Sequence, residues 1–172
     1  AYKTIRTNIM LSVMKKGCKI IVVSSSAPNE GKTTTTANLA VSIAQADQRV
    51  LLIDGDLRKP KMHHYFSIPS AQGLTNYLSA SVNSRTAQHA DLFGIIHPTE
   101  YPNLSVITSG SIPPNPSEIL GSEPMIEFLN KVSQKYDYII IDTPPINVVS
   151  DAVPIIRESD GVVLVVRSYS ST

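Results

Sequence analysis

The sequence SSSAPNEGKTTTT occupies residues 24–36 and is the strongest single indication of how this chain folds. It follows an apolar, β-branched run at residues 19–23, which is typical of a buried strand. It continues into residues 33–44, whose composition suits a helix. Strand, loop, Gly-Lys-Thr and helix in this order indicate a phosphate-binding P-loop. The strict pattern has an additional glycine, which Ser26 replaces here.

Each residue of the loop has a chemical reason to be there. Gly31 lets the backbone approach a phosphate, and the N–H groups of the first helical turn point at it. Lys32 can reach the terminal phosphates, and the hydroxyl of Thr33 can ligate Mg²⁺. Asn29 occupies a position that often needs a positive φ, which asparagine tolerates. The predicted nucleotide-binding residues are Ala27, Pro28, Asn29, Glu30, Gly31, Lys32, Thr33 and Thr34.

Two further apolar runs end in acidic residues. Residues 49–54 end in Asp54, with Asp56 two positions later, and residues 138–142 end in Asp142. We expect Asp54 and Asp142 to organise Mg²⁺, directly or through water, because parallel strands carry ligand sites beyond their carboxyl ends. Asp56 can orient an incoming hydroxyl or accept its proton. The alternative is structural, since Asp-Gly is a common turn pair and Asp142 can cap the turn before Pro144.

The apolar runs predict an α/β chain in which helices cover both faces of a mostly parallel central sheet, and together with the P-loop motif they indicate a three-layer P-loop NTPase fold. At least four strands are continuously apolar rather than alternating, and helical segments separate them. The predicted strands are 19–24, 49–54, 104–108, 138–142 and 161–167. The predicted helices are 1–14, 33–46, 73–78, 117–120, 125–136 and 151–157. Residues 57–70 are predicted to form a loop with short helical turns, residues 110–116 are predicted to be irregular, and residues 83–100 carry no clear pattern.

Composition sets the remaining bounds. The 172 residues are 42% hydrophobic and 17% charged, which predicts one folded domain across residues 1–172. The formal net charge of +1 gives no general electrostatic reason to bind nucleic acid. The single cysteine, Cys18, excludes an internal disulfide. Arg58, Lys59 and Lys61 form a basic stretch that suits a phosphate, an acidic partner or simple solvation equally well.

Four segments together resemble the bacterial tyrosine kinases of capsule and exopolysaccharide synthesis, called BY-kinases, which are built on the ParA/MinD-like deviant P-loop fold. The resemblance covers nearly the whole chain. The segments are Walker A at residues 27–33 (APNEGKT), Walker A′ at 51–58 (LLIDGDLR), Walker B at 139–145 (IIIDTPP) and the Gly-x-x-Pro-Pro-Asn-Pro-x-Glu segment at 110–118 (GSIPPNPSE). No single segment is specific, but the set is.

The resemblance implies a protein-tyrosine (auto)kinase that uses ATP, releases ADP and requires Mg²⁺. Lys32 and the loop amides would hold the phosphates. Thr33, Asp54 and Asp142 would organise Mg²⁺, and Asp56 would orient or deprotonate the tyrosine hydroxyl. The catalytic residues are thus Lys32, Asp54, Asp56 and Asp142.

The resemblance also implies a cellular setting. It places the domain in the cytoplasm at the inner face of the bacterial plasma membrane, beside or fused to a membrane activator or co-polymerase of polysaccharide synthesis. The substrate would be a tyrosine-containing protein, either the kinase's own tail or a neighbour. A homo-oligomeric ring is possible through residues 1–14, and no nucleic-acid partner is implied.

The chain departs from the family pattern at three places. Asn29 replaces the usual glycine of Walker A. In the Glu-x-x-Arg-x-x-Arg oligomerisation helix, Lys3 stands for the first arginine, and the glutamate would precede Ala1. The family pattern also continues past Thr172 into a further helix and a tyrosine cluster.

Two alternatives stay open at this point. One is a non-catalytic nucleotide switch that binds a membrane polymerisation regulator. The other is a positioning ATPase of the MinD or ParA type. Those ATPases carry a second lysine in the P-loop, at the place that Ala27 occupies, so Ala27 argues against them.

Overall fold

One or two helices separate successive strands of the described chain, except between the two strands at residues 97–107. The computed structural model describes residues 2–26, 31–83, 94–146 and 153–166. The strands in these ranges are β1 (Lys19–Ser25), β2 (Val50–Asp54), β3 (His97–Pro98), β4 (Leu104–Ile107), β5 (Tyr138–Asp142) and β6 (Gly161–Val165). The helices are α1 (Tyr2–Ser12), α2 (Lys32–Ala44), α3 (Met62–Tyr65), α4 (Leu74–Asn83), α5 (Pro116–Leu120), α6 (Glu123–Val132) and α7 (Val153–Glu158).

The six described strands form one sheet in the order β3-β4-β2-β5-β1-β6. Every pairing is parallel except that of β3 with β4. The prediction of a mostly parallel sheet with helices is therefore confirmed. Strand β5 lies between β2 and β1, and its register aligns Asp142 with Asp54 on one side and with Val23 on the other. This register brings the acidic strand ends together.

Alternate residues of the strands face opposite sides of the sheet and form two separate cores. On one face Ile53 and Ile141 pack among residues of α4, α5, α6 and α7. On the other face Leu52 and Ile140 pack among residues of α1, α2 and α3. Because both faces are covered, the strands are apolar throughout rather than alternating. The layers match the predicted three-layer arrangement.

Several predicted boundaries are wrong by a few residues. Helix α1 ends at Ser12, and α2 ends at Ala44. Helix α6 begins at Glu123 because the Ser122 side chain accepts a hydrogen bond from the N–H of Met125. It ends at Val132 rather than 136. The predicted ends at Asp151 and Arg167 lie outside the described residues.

Two elements differ from the prediction in this part of the chain: the predicted helix at 73–78 is longer, and a strand in the region without a clear pattern was not predicted. Helix α4 continues to Asn83, well beyond the predicted end at Leu78. Strand β3 has only two residues, which pair with Val106 and Ser105 of β4. A two-residue strand has no periodicity to detect, so only its pairing reveals it. No helix in the described ranges has the length and apolar character needed to cross a membrane.

Candidate active site

The site begins where β1 leads to α2. Gly31 precedes the helix with a φ of 73°, a left-handed conformation that glycine adopts without steric cost. Helix α2 starts at Lys32, so the N–H groups of its first turn are directed to the carboxyl end of the sheet. Ala27, Pro28, Asn29 and Glu30 lie outside the described residues, and their predicted role in nucleotide binding stays a prediction.

Lys32 and Asp142 form a buried ion pair, in which the Lys32 Nζ donates a hydrogen bond to Oδ1 of Asp142. Burial raises the pKa of Asp142 to about 6, although the positive charge of Lys32 opposes that rise. The Thr36 hydroxyl donates to the Lys32 carbonyl at 2.6 Å, one turn further along α2. The only cation of the predicted P-loop is therefore held directly above the acidic end of β5.

Asp54 is completely buried at the end of β2. Its carboxylate accepts three backbone hydrogen bonds, from the N–H groups of Asp56 at 3.1 Å, Lys61 at 3.1 Å and Met62 at 3.0 Å. Burial and the nearby charge of Asp142 raise the pKa of Asp54 to about 7, and these N–H donors oppose the rise. Asp54 thus anchors residues 56–62 to the end of β2. Its predicted part in a Mg²⁺ shell stays a prediction.

Gly55 joins the two acidic strand ends. Its N–H donates to the Asp142 carbonyl at 2.7 Å. A Cβ at this position would lie 2.7 Å from that same oxygen and 2.9 Å from Cγ2 of Ile141. The absence of a side chain therefore allows the chain leaving β2 to lie directly against β5.

Asp56, in contrast to Asp54, is only half-buried and lines the cleft. Its Oδ1 accepts hydrogen bonds from the N–H groups of Lys59 at 3.0 Å and Arg58 at 3.3 Å. These local bonds form a turn that holds the carboxylate at the cleft. Of the three predicted acidic residues, Asp56 is the one that lines the cleft.

The cleft has a volume of about 580 Å³ and opens at the carboxyl end of the sheet. This volume lies within the ordinary range for small-molecule sites. One wall is the start of α2, and the other is the segment from Asp56 to α3. The lining residues are Ser25, Gly31, Lys32, Thr33, Thr34, Asp56, Lys59, Lys61, His64, Tyr65 and Pro145. The predicted residues Lys32, Thr33, Thr34 and Asp56 therefore meet in one cavity.

Six lining residues were not predicted as site residues: Ser25, Lys59, Lys61, His64, Tyr65 and Pro145. His64 and Tyr65 belong to the one-turn helix α3, which brings them back over the cleft. Pro145 is placed by bonds between β1 and the segment after β5, in which the Thr143 N–H and hydroxyl both donate to the Val23 carbonyl. In the sequence, Pro145 was indicated by its place at the end of the Walker B segment, and Lys59 and Lys61 by the basic stretch that contains them.

The oxygen donors at this site suit a magnesium ion. Thr33 lines the cleft, and Asp142 lies at the end of β5, the next strand to β1. Mg²⁺ prefers such hard oxygen ligands and commonly takes one or two carboxylates together with substrate phosphates and water. The residues present therefore fit a magnesium ion bound with phosphates.

Comparison with known proteins decides the family. The AAA domain family model matches residues 18–171. The tyrosine-protein kinase YwqD of Bacillus subtilis is 43% identical over 167 residues, which are 97% of this chain and 67% of that protein. The chain belongs to the bacterial tyrosine-protein kinases. The putative tyrosine-protein kinase CapB of Staphylococcus aureus is 39% identical over 96% of this chain and 69% of that protein.

Solved structures place the same family on this fold. The kinase domain of the Escherichia coli tyrosine kinase ETK matches with a TM-score of 0.88 and 35% identity, over 100% of this chain and 64% of that chain. MinD of Pyrococcus horikoshii, solved with Mg-ADP, matches with a TM-score of 0.65 and 24% identity, over 86% of this chain and 57% of that one. The MinD likeness shows the fold alone. This family implies nucleotide binding, and the cleft at the start of α2 is the candidate site.

Proposed function

We propose that this chain transfers the γ-phosphoryl group of ATP to the hydroxyl of a protein tyrosine. The observation that carries the proposal is the position of Asp56, whose carboxylate lines the same cleft as Lys32 and the start of α2. One wall of the cleft thus has the groups that bind phosphate, and the other has a group that can bind a hydroxyl. In a kinase that second group would bind the acceptor hydroxyl, whereas in an ATPase it would bind the attacking water.

The residues of the two walls have distinct roles in the proposed reaction. The N–H groups at the start of α2 and the Lys32 ammonium hold the phosphates and stabilise charge on the transferred group. Asp56 accepts a hydrogen bond from the tyrosine hydroxyl, which orients its oxygen towards phosphorus, and takes its proton as the bond forms. Magnesium, held by Thr33 and Asp142 with Asp54 beneath, would neutralise phosphate charge.

The proposed setting is the cytoplasmic face of the bacterial plasma membrane, where the kinase would regulate capsular or exopolysaccharide synthesis with a membrane activator. Similarity to CapB and to the crystallised chimerical protein CapA2B2 supports a kinase that works together with a second protein. CapA2B2 matches with a TM-score of 0.89 and 39% identity, over 99% of this chain and 72% of that one. The proposed substrate is a tyrosine-containing protein, either the kinase's own polypeptide or a neighbouring copy.

Asp56→Asn tests the assignment most directly, because asparagine keeps the shape but cannot take a proton. We expect kcat on a tyrosine peptide with ATP and Mg²⁺ to fall by about 100-fold or more. Asp47→Asn is the matched control, since Asp47 is exposed in the turn after α2 and its φ of 61° suits asparagine. Full activity of Asp56→Asn would exclude the proposed role of Asp56.

A second measurement on the same variant separates transfer from binding. Affinity for MgADP, measured by calorimetry, should stay within about threefold of the wild type, because Asp56 Oδ1 accepts hydrogen bonds from its own turn, at Arg58 and Lys59, and lies on the wall opposite α2. Absence of tyrosine phosphorylation by the wild-type chain, with MgADP bound normally, would favour the non-catalytic nucleotide switch.

A further inference from the structure

The wall of the cleft opposite α2 carries positive charges that nucleotide binding by the P-loop leaves unused. Lys59, Lys61 and His64 all line this wall, and all three are exposed. The start of α2 and Lys32 already provide the groups that phosphates need. The two lysines on the opposite wall are therefore available to bind a second ligand.

The main chain of both lysines is anchored by the acidic residues of the site. The Lys59 N–H donates to Oδ1 of Asp56 at 3.0 Å, and the Lys61 N–H donates to Oδ2 of Asp54 at 3.1 Å. Pro60 lies between them and restricts the backbone further. The main chain of Lys59 and Lys61 is thus held by the residues proposed for catalysis, while the ammonium groups of the two lysines extend from the wall.

Neither ammonium has an acidic partner among the described residues. The ion pairs found in those parts of the chain join Lys15 to Asp160, Lys32 to Asp142 and Arg49 to Asp137. None of them involves Lys59 or Lys61. The acceptor wall of the cleft therefore has two uncompensated positive charges within five residues of Asp56, which is the group proposed to bind the acceptor hydroxyl.

We infer that Lys59 and Lys61 select acceptor tyrosines that have acidic residues beside them. The inference rests on the kinase activity proposed above. A tyrosine whose hydroxyl reaches Asp56 has its neighbouring residues along this wall, and carboxylates in those positions complement the two ammonium groups. The pairs are solvent-exposed, so each contributes modestly and loses strength as salt screens it.

Two short peptides that differ only in charge test this inference. Each has one tyrosine, flanked by glutamate in the first peptide and by the isosteric glutamine in the second. We measure the Kd of each by fluorescence anisotropy with MgADP bound, and kcat/KM of each with ATP. At low salt we expect the wild type to favour the glutamate peptide by about 3- to 10-fold in both measurements, and the preference to shrink as salt is added.

The double variant Lys59→Gln/Lys61→Gln should lose this preference. The matched control, Lys16→Gln/Lys131→Gln, removes the same charge from exposed positions away from the cleft and should keep it. An equal preference in the wild type and in the Lys59/Lys61 variant would overturn the inference. Weaker MgADP binding by that variant, with the peptide preference intact, would also overturn it by assigning the lysines to the nucleotide.

The two measurements distinguish failure of this inference from failure of the proposed function. A wild-type chain that binds the glutamate peptide preferentially but phosphorylates neither peptide would support the acidic recognition and remove the kinase assignment. A chain that phosphorylates both peptides with equal kcat/KM would support the kinase assignment and remove the acidic recognition.

Discussion

The two ends of the central strands each carry an ion pair, and the pairs differ in nearly every property. At the carboxyl end, the Lys32 and Asp142 side chains are 9% and 2% exposed. At the amino end, the Arg49 and Asp137 side chains, which precede β2 and β5, are 59% and 34% exposed and lie 3.3 Å apart. The same chemistry thus occurs once in the interior and once in solvent.

The difference in burial between the two ion pairs shows where the chain tolerates a desolvation penalty. Taking two charges out of water carries a large desolvation penalty, which their attraction offsets only with good geometry. Stability alone does not explain such a pair, whereas a site that must bind phosphate and a cation does. The exposed pair carries no such penalty and little stabilisation. Burial of charge therefore marks the functional end of the sheet.

The largest expected effect comes from removing the buried cation. Lys32→Met should lower kcat for tyrosine phosphorylation by at least about 100-fold, because the charge that stabilises the transferred phosphoryl group is lost. Steady-state assays with ATP and Mg²⁺ measure it, and Lys131→Met on the surface of α6 is the control. Activity of Lys32→Met close to that of the control would remove any functional distinction between the two pairs.

The next largest effect is on stability, and it is tested by changing one partner and then both partners of the buried pair. Lys32→Met alone leaves Asp142 buried without its cation, and we expect the free energy of unfolding to fall by about 3 kcal/mol at pH 8. The double variant Lys32→Met/Asp142→Asn should recover most of that loss. Urea unfolding of the two variants and the wild type measures both values. A double variant no more stable than the single one would show that the charges are not coupled.

The pH dependence of stability should have opposite signs at the two ends. The pKa of Asp142 is about 6 in the folded chain and about 4 when unfolded, so the stabilisation present below pH 4 is lost as pH rises to 6. The pKa of Asp137 is lowered by hydrogen bonds and charge from Arg49, so its stabilisation is present above pH 4 and lost on acidification.

Thermal unfolding of nucleotide-free protein across this range separates the two contributions. The difference between the wild type and Lys32→Met/Asp142→Asn should decline from pH 4 to pH 6. The difference between the wild type and Arg49→Gln should instead grow as pH rises from below pH 4. If both stability differences changed with pH in the same direction, the buried and the exposed pair would not have opposite pH dependences.

The smallest effect should come from the exposed pair. Arg49→Gln removes the side-chain bonds to Asp137 but keeps the Arg49 N–H, which donates to Oδ2 of Asp137 at 2.8 Å. We expect a slight decrease of the urea midpoint that becomes smaller in high salt. A loss as large as that of Lys32→Met would mean that exposure does not separate the pairs.

Much of the fold and part of the site followed from local patterns. The continuous apolar runs of β1, β2 and β5 predicted buried parallel strands, because both faces of each strand meet helices. Acidic residues at the ends of two of those runs predicted their convergence, because parallel strands end at one edge of the sheet. Strand β3 did not follow, since two residues leave no periodic signal, whereas the length of α4 was missed although Leu74, Tyr77, Leu78 and Val82 have helical spacing.

The environment of each acidic residue was decided only by the packed structure. Asp54 and Asp56 are two positions apart and chemically identical, yet one is buried under three N–H donors and the other lines the cleft. Two of the donors to Asp54 come from Lys61 and Met62, whose return to the sheet depends on the path of the intervening chain. Local sequence predicts which groups reach the end of a strand, because periodicity is a local property. Their burial, pairing and pKa depend on segments distant along the chain, and those meet only when the chain packs.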